Sequence, residues 1–297
     1  MALDNIPGAA AVTVSLGLGI DRRTLKHSLQ AAGFIAVWMG IGVGLRFSGM
    51  EPIAYMHLYL LVGIPLMILF QCGIRKERLV TLWVRDARRF QIGIAGLFAG
   101  AVLAAPAAYQ LFAGAVPRPM RWIAPLYFMA AIVGAFGTGF ALRKTPLYAL
   151  RKGLPSFLIA TAFGLGMMAL AGFASGKLRI PNAWLFVQQF VLLLTVCFSL
   201  EEVVFRGMLD SHLQPLPATG LSAWVSAFTV SVLWGLWHLP IIPIPDLVSA
   251  IVIVPVVAFV HVLIGVPLSF CWRSSGSLLL PSVAHALVDA FRNTAVM

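Results

Sequence analysis

Three short stretches of this 297-residue chain hold residue types that can do chemistry. "SLEEVVFRGML" (199–209) sets Glu201 beside Glu202, with Arg206 four residues after the second carboxylate. "WGLWHLP" (234–240) carries His238 four residues after Trp234, and "HALVD" (285–289) carries His285 four residues before Asp289. On a helix, residues i and i+4 share a face. Glu202 can therefore neutralise Arg206, and His285 meets Asp289. Glu201 is turned about 100° from Glu202, has no partner in its own helix, and reads as the free carboxylate. A carboxylate beside an imidazole is a general base toward water. If the helices bring them together, Glu201 with His238 could activate a water, or Glu201 could give a proton back later in the same cycle. His285 with Asp289 would hold a carbonyl and steady the oxyanion that develops on it.

The elements that must position these groups are apolar. The chain is 60% hydrophobic and only 10% charged, with a mean hydropathy of +0.94, where a soluble domain carries about 25% charged residues. Several apolar runs reach the roughly 20 residues needed to cross a bilayer. The sequence predicts an all-α, polytopic integral membrane protein with eight or nine spans. They fall near 28–48, 52–73, 91–113, 122–142, 154–175, 184–209, 219–240, 247–272 and 277–295. An ionisable group inside a bilayer costs several kcal/mol unless it is paired or faces water. Almost all such groups lie in the last four spans, so residues 1–180 are read as an N-terminal membrane region and 181–297 as the catalytic core. Gly40/Gly44 and Gly96/Gly100 have the spacing of close helix contacts.

The net charge of +11 does not point to nucleic acid, because the basic residues cluster between apolar runs, at 22–26, 75–89 and 143–152. That is the asymmetry of the positive-inside rule. With a cytoplasmic N-terminus, six of the 21 Lys and Arg residues (Arg46, Arg118, Arg121, Lys177, Arg179 and Arg292) fall outside, and the other 15 inside. The stretch "RKERLVTLWVRDARRF" (75–90) can lie along an anionic leaflet or form a solvated loop. Trp83, Trp122, Trp184 and Trp272 read as headgroup anchors, and His27, His57 and His212 as interfacial. Cys72, Cys197 and Cys271 show neither a disulfide framework nor a metal spacing. No basic region precedes residues 7–20, so no cleavable signal peptide is expected.

"EEVVFRG", "WGLWH" and "HALVD" resemble, in order, the EExxxR, FxxxH and Hxxx(N/D) motifs of the CAAX-protease and bacteriocin-processing family of intramembrane glutamic proteases. The gaps fit as well: 37 residues from Glu201 to His238 and 47 more to His285. The resemblance covers about 195–292. It implies a helical catalytic core in which Glu201 and His238 activate water, His285 and Asp289 bind the oxyanion, and Glu202 and Arg206 accompany them. Trp234 stands where the family usually has Phe, and Asp289 where its prenyl-protein branch usually has Asn. A charged Asp only accepts hydrogen bonds, whereas Asn also donates.

The expected function is hydrolysis of a peptide bond in a membrane-embedded or lipidated protein, at the cell membrane and without a cofactor. A zinc-dependent version would use Glu201, His238 and His285 as ligands. Non-enzymatic alternatives are a membrane scaffold or a bacteriocin self-immunity protein. An ion-coupled transporter would need internal repeats and broken helices in both halves. Each residue also has a plainer reading. Glu202 and Arg206 would be a buried pair fixing helix register, His285 and Asp289 a structural hydrogen bond, and His238 a helix-end cap. His261, in "AFVHVLIGV", has no motif around it and reads as structural, with a cavity-lining role as the alternative. Straight helices also leave Glu201 and His238 at different depths, unless the turn "QPLPATG" (214–220) re-enters the membrane or the next helix starts late.

Overall fold

The structure is a computed structural model that describes residues 22–113, 123–142, 147–214 and 220–296. Among the described residues ten helices follow one another: α1 (Arg22–Arg46), α2 (Pro52–Leu69), α3 (Ile94–Ala113), α4 (Ile123–Leu142), α5 (Leu147–Ala174), α6 (Ala183–Val196), the single turn α7 (Ser211–Leu213), α8 (Gly220–Trp237), α9 (Leu247–Ser275) and α10 (Leu279–Phe291). Segments Phe70–Arg75, Cys197–Asp210 and Arg292–Val296 continue α2, α6 and α10 with the wider π-helical winding. Among the described residues there is no β-strand, only an isolated bridge between Val84 and Ser277. Among the described residues, eight stretches are long and apolar enough to cross a membrane. The ninth expected span is α10, 13 residues of α-helix and so about 20 Å long.

Local chemistry sets the helix ends. Asn182 caps α6 by accepting from Leu185 N–H, and Asp246 caps α9 by accepting from Ser249 N–H. Pro52 opens α2, where a missing N–H costs nothing. Gly276, at φ +65°, ends α9 in the left-handed conformation that favours glycine. Gly96 and Gly100 bring α3 against Gly139 and Phe136 of α4, as their spacing predicts. Gly40 and Gly44 face open space instead; between them, Gly42 meets Tyr59 and Pro240.

The core lies inside the bundle around Trp38, Tyr59, Phe198, Phe205, Trp234, Trp237 and Trp272. Outward faces remain apolar, with Phe98, Val248 and Ile251 well exposed, which suits a hydrocarbon surround. Trp184 is exposed, as an anchor should be. Trp272 is not an anchor: it is fully buried, donates to Ser211 Oγ at 3.0 Å and carries Arg85 over its ring. His212 is buried too, stacked on His27 at 4.2 Å and bonded to Gln30. Trp122, Arg118, Arg121, residues 7–20 and most of the turn at 214–220 lie outside the described residues.

Contacts gather Arg75, Arg85, Lys152 and Arg273 at one end of the bundle. Arg75 reaches Gly207 O, Arg85 and Arg273 both approach Asp210, and Lys152 shares a cavity with Arg85 and Arg273. At the other end Arg46 reaches Ile242 O, and Arg179 N–H donates to Ala295 O.

Candidate active site

Pro240 cannot donate the N–H that would extend α8, so the helix stops at Trp237 and His238 sits at its end. The last orphan carbonyls of a helix need donors from elsewhere. Trp237 O receives one from Tyr59 Oη at 2.8 Å. Arg46 Nη1 caps Ile242 O at 2.8 Å on the following turn. The motif histidine is thus held by α1 and α2, far upstream in the chain.

Glu201 and Glu202 fall within the π-helical continuation of α6. Both reach His285 of α10, from opposite sides of its ring. Glu202 Oε1 is 3.0 Å from Nδ1, and Glu201 Oε2 is 3.8 Å from Nε2. The same Glu201 oxygen lies 3.9 Å from His238 Nε2 and accepts from Trp234 Nε1 at 3.1 Å. Trp234 therefore contributes an N–H that a phenylalanine at this position would lack.

The tautomers follow from the acceptors. His238 Nδ1 faces Trp234 O at 2.8 Å and must donate to it. Neutral His238 thus offers Nε2 as an acceptor toward Glu201. By the same argument His285 donates Nδ1–H to the Glu202 carboxylate. A water placed between Glu201 Oε2 and His238 Nε2 can donate one hydrogen to each, at about 2.8 Å from both.

Arg206 lies 3.4 Å from Glu202 Oε2, donates to Ser269 Oγ at 3.0 Å and sits over the Trp234 ring. The expected Glu202–Arg206 pair is present at ion-pair distance, although Nε and Oε2 are not aligned as a hydrogen bond. The expected His285–Asp289 partnership is looser. Nε2 and Oδ2 are 3.7 Å apart, and Asp289 instead meets Arg292 Nη1 at 3.0 Å.

Three neighbours that the motifs do not include join the site. His261 donates Nδ1–H to Val257 O and packs against His238, with ring centroids 4.3 Å apart, and edge-on to Trp234. Cys197 is buried one turn before Glu201, and its Sγ lies with His285 and Asp289 ligand atoms inside 4.8 Å. Arg292 ends the cluster. Four-residue spacing gave a signal for Cys197, as for Arg206, but nothing in the sequence brings α9 to α8 at His261.

Straight antiparallel helices would separate Glu201 from His238, yet they meet. Helix α8 starts at Gly220, close to the expected place. Part of the offset is taken up because α8 overhangs the end of α6. Arg273 joins Asp210 to Ala223 O and Ser226 Oγ, so the level of Asp210 corresponds to the second turn of α8.

Residues 181–291 match the family described as Type II CAAX prenyl endopeptidase Rce1-like. The comparisons with curated proteins and with solved structures returned no match. The matched segment begins two residues before α6, includes every residue named in the three motifs, and leaves α1–α5 outside it. The bundle of apolar helices describes a multi-pass membrane protein, and its C-terminal segment is similar to a family of peptidases.

Proposed function

We propose that the chain is an intramembrane glutamic endopeptidase acting on a membrane-associated, prenylated or otherwise lipidated polypeptide. The observation that carries this reading is the position of one carboxylate oxygen, Glu201 Oε2, 3.9 and 3.8 Å from the Nε2 atoms of two imidazoles on two other helices. In the proposed reaction Glu201 takes a proton from a water that His238 Nε2 orients. The water oxygen bonds to the scissile carbonyl carbon. Doubly protonated His285, its Nδ1–H on Glu202, donates Nε2–H to the oxyanion. Collapse breaks the C–N bond, and Glu201 returns the proton to the leaving nitrogen. Asp289 and Arg292 form the wall beside His285. The prenyl substrate class comes from the matched family's description.

The test is a comparison of membrane-protein termini, by mass spectrometry, in cells lacking the chain and complemented with wild type or Glu201→Gln at equal expression. Purified protein is assayed in parallel on a farnesylated peptide. Gln keeps the shape but cannot take a proton, so turnover should fall by about 10²–10⁴-fold, and wild-type-only termini should disappear. Identical termini with restored function in both strains would sink the protease reading and favour a scaffold or immunity role. Metal chelation should leave wild-type turnover unchanged. Loss on chelation with recovery on added zinc would select the zinc-dependent version, for which the sequence offers Glu201, His238 and His285 and the described residues gather Cys197, His285 and Asp289.

A further inference from the structure

At the basic end of the bundle, outside the catalytic cluster, a cavity of about 440 Å³ is lined by Arg85, Arg88, Arg89, Lys152 and Arg273. Two carboxylates stand against these five cations. Asp86 is held by Arg88 at 3.0 Å, and the fully buried Asp210 is shared by Arg273 at 2.6 Å and Arg85 at 3.8 Å. Arg89 and Lys152 have no carboxylate partner among the described residues. The cavity therefore keeps a net positive charge after its internal pairs are formed. Arg85 is nearly enclosed, and its Nη1 has no acceptor within the protein. Burial pushes its guanidinium down to about 10, against the pull of Asp210.

The walls are built rather than accidental. Arg85 N–H donates to Gly276 O, Leu278 N–H donates to Trp83 O, and Val84 bridges Ser277. These bonds dock the loop after α2 onto the α9–α10 turn. The cavity also has a definite depth. Tyr148, Ala149 and Lys152 belong to the start of α5, and Arg273–Gly276 to the end of α9. Membrane-crossing helices emerge from hydrocarbon at such ends, where phospholipid phosphates lie.

We propose that this cavity is a binding site for a phosphate group, supplied by the headgroup of an anionic phospholipid. Arg89 and Lys152 at the rim meet the phosphate oxygens, and Arg273 and Arg85 set the field behind them. Planar guanidinium groups suit this recognition because they bind phosphate with two parallel hydrogen bonds. The acyl chains would run along the exposed apolar faces beside α5.

The test uses the full chain, delipidated in neutral detergent, with phosphatidylglycerol or phosphatidylcholine added and retained lipid counted by native mass spectrometry. Wild type should retain phosphatidylglycerol in preference. Arg89→Ala/Lys152→Ala should retain it about tenfold less, since each interfacial cation contributes strongly to anionic-lipid attraction. Lys177→Ala/Arg179→Ala removes two cations from the opposite end and should bind as wild type. A thermal-melt arm with inorganic phosphate distinguishes the sources. Stabilisation lost in the cavity variant names free phosphate, and headgroup-dependent retention without it names the lipid; both support the site. If the alanine pair does not purify, Arg89→Gln/Lys152→Gln, which preserves side-chain bulk, replaces it. Equal retention by a folded cavity variant, or equal loss from the opposite-end variant, overturns the proposal.

Discussion

Glu201 and Glu202 are adjacent and chemically identical, yet their surroundings divide their work. Glu202 is enclosed between His285 and Arg206, while Glu201 keeps 12% of its side chain exposed and faces two imidazole nitrogens. Substituting them should therefore break different properties. Glu201→Gln removes a base and leaves packing intact. Glu202→Gln strands the fully buried Arg206, and breaking a buried ion pair by removing one partner costs about 3–5 kcal/mol. We expect the Glu202→Gln melting temperature in detergent to drop clearly, with Glu201→Gln melting as wild type. Glu202→Gln/Arg206→Met should recover much of the loss, because replacing both partners removes the stranded charge. If Glu201→Gln is the less stable of the two, the division of roles is wrong. Much of this cluster was legible from spacing alone: Glu202 with Arg206 four residues on, and Glu201 left free. The choice of His285's partner was not. Four-residue spacing offered Asp289, but the nearest carboxylate is Glu202 on another helix, and only tertiary packing decides between a contact within one helix and one between two.

At the scale of elements, the least legible feature was the winding of Cys197–Asp210. Nothing in "CFSLEEVVFRGMLD" separates a π-helix from an α-helix, because both need the same apolar and helix-compatible residues. Such winding is uncommon and gathers at functional sites. Here it lets two consecutive carboxylates reach one ring. The end of α8, in contrast, was marked by Pro240. Less visible was the donor that satisfies its carbonyl. Tyr59 Oη reaches Trp237 O across 178 residues of sequence, and Trp38 Nε1 in turn donates to Tyr59 O at 2.8 Å. This chain of bonds makes α1 and α2 positioning elements for His238. Tyr59→Phe removes one buried donor, a loss of about 1–3 kcal/mol when its partner stays unsatisfied. Turnover of the farnesylated peptide should fall several-fold with KM little changed, because the loss acts on the motif histidine and not on substrate contacts. Arg46→Ala, which frees the turn after His238, should do the same. A rise in KM with turnover intact would instead assign α1 and α2 to substrate binding.

For the whole molecule, hydropathy made the all-α membrane bundle readable, since every backbone group in hydrocarbon must be satisfied within a helix. The charge clusters at 75–89 and 143–152 anticipated a basic end. The structure gathers Arg75, Arg85, Lys152 and Arg273 there, with Arg46 and Arg179 at the other end. Which compartment each end faces is a separate proposal, made on the positive-inside rule: the basic end is cytoplasmic. It is tested by two single cysteines placed in a chain whose own three have been replaced by serine. Arg78→Cys lies on the loop after α2 at the basic end, and Arg179→Cys lies between α5 and α6 at the opposite one. A membrane-impermeant maleimide should label Arg179→Cys in intact cells and Arg78→Cys only in inverted vesicles. The reverse pattern would turn the molecule over, placing the phosphate cavity in the outer leaflet and removing the cytoplasmic anionic lipids as its source. Labelling of both from one side would break the span count itself, because an odd number of crossings separates the two positions.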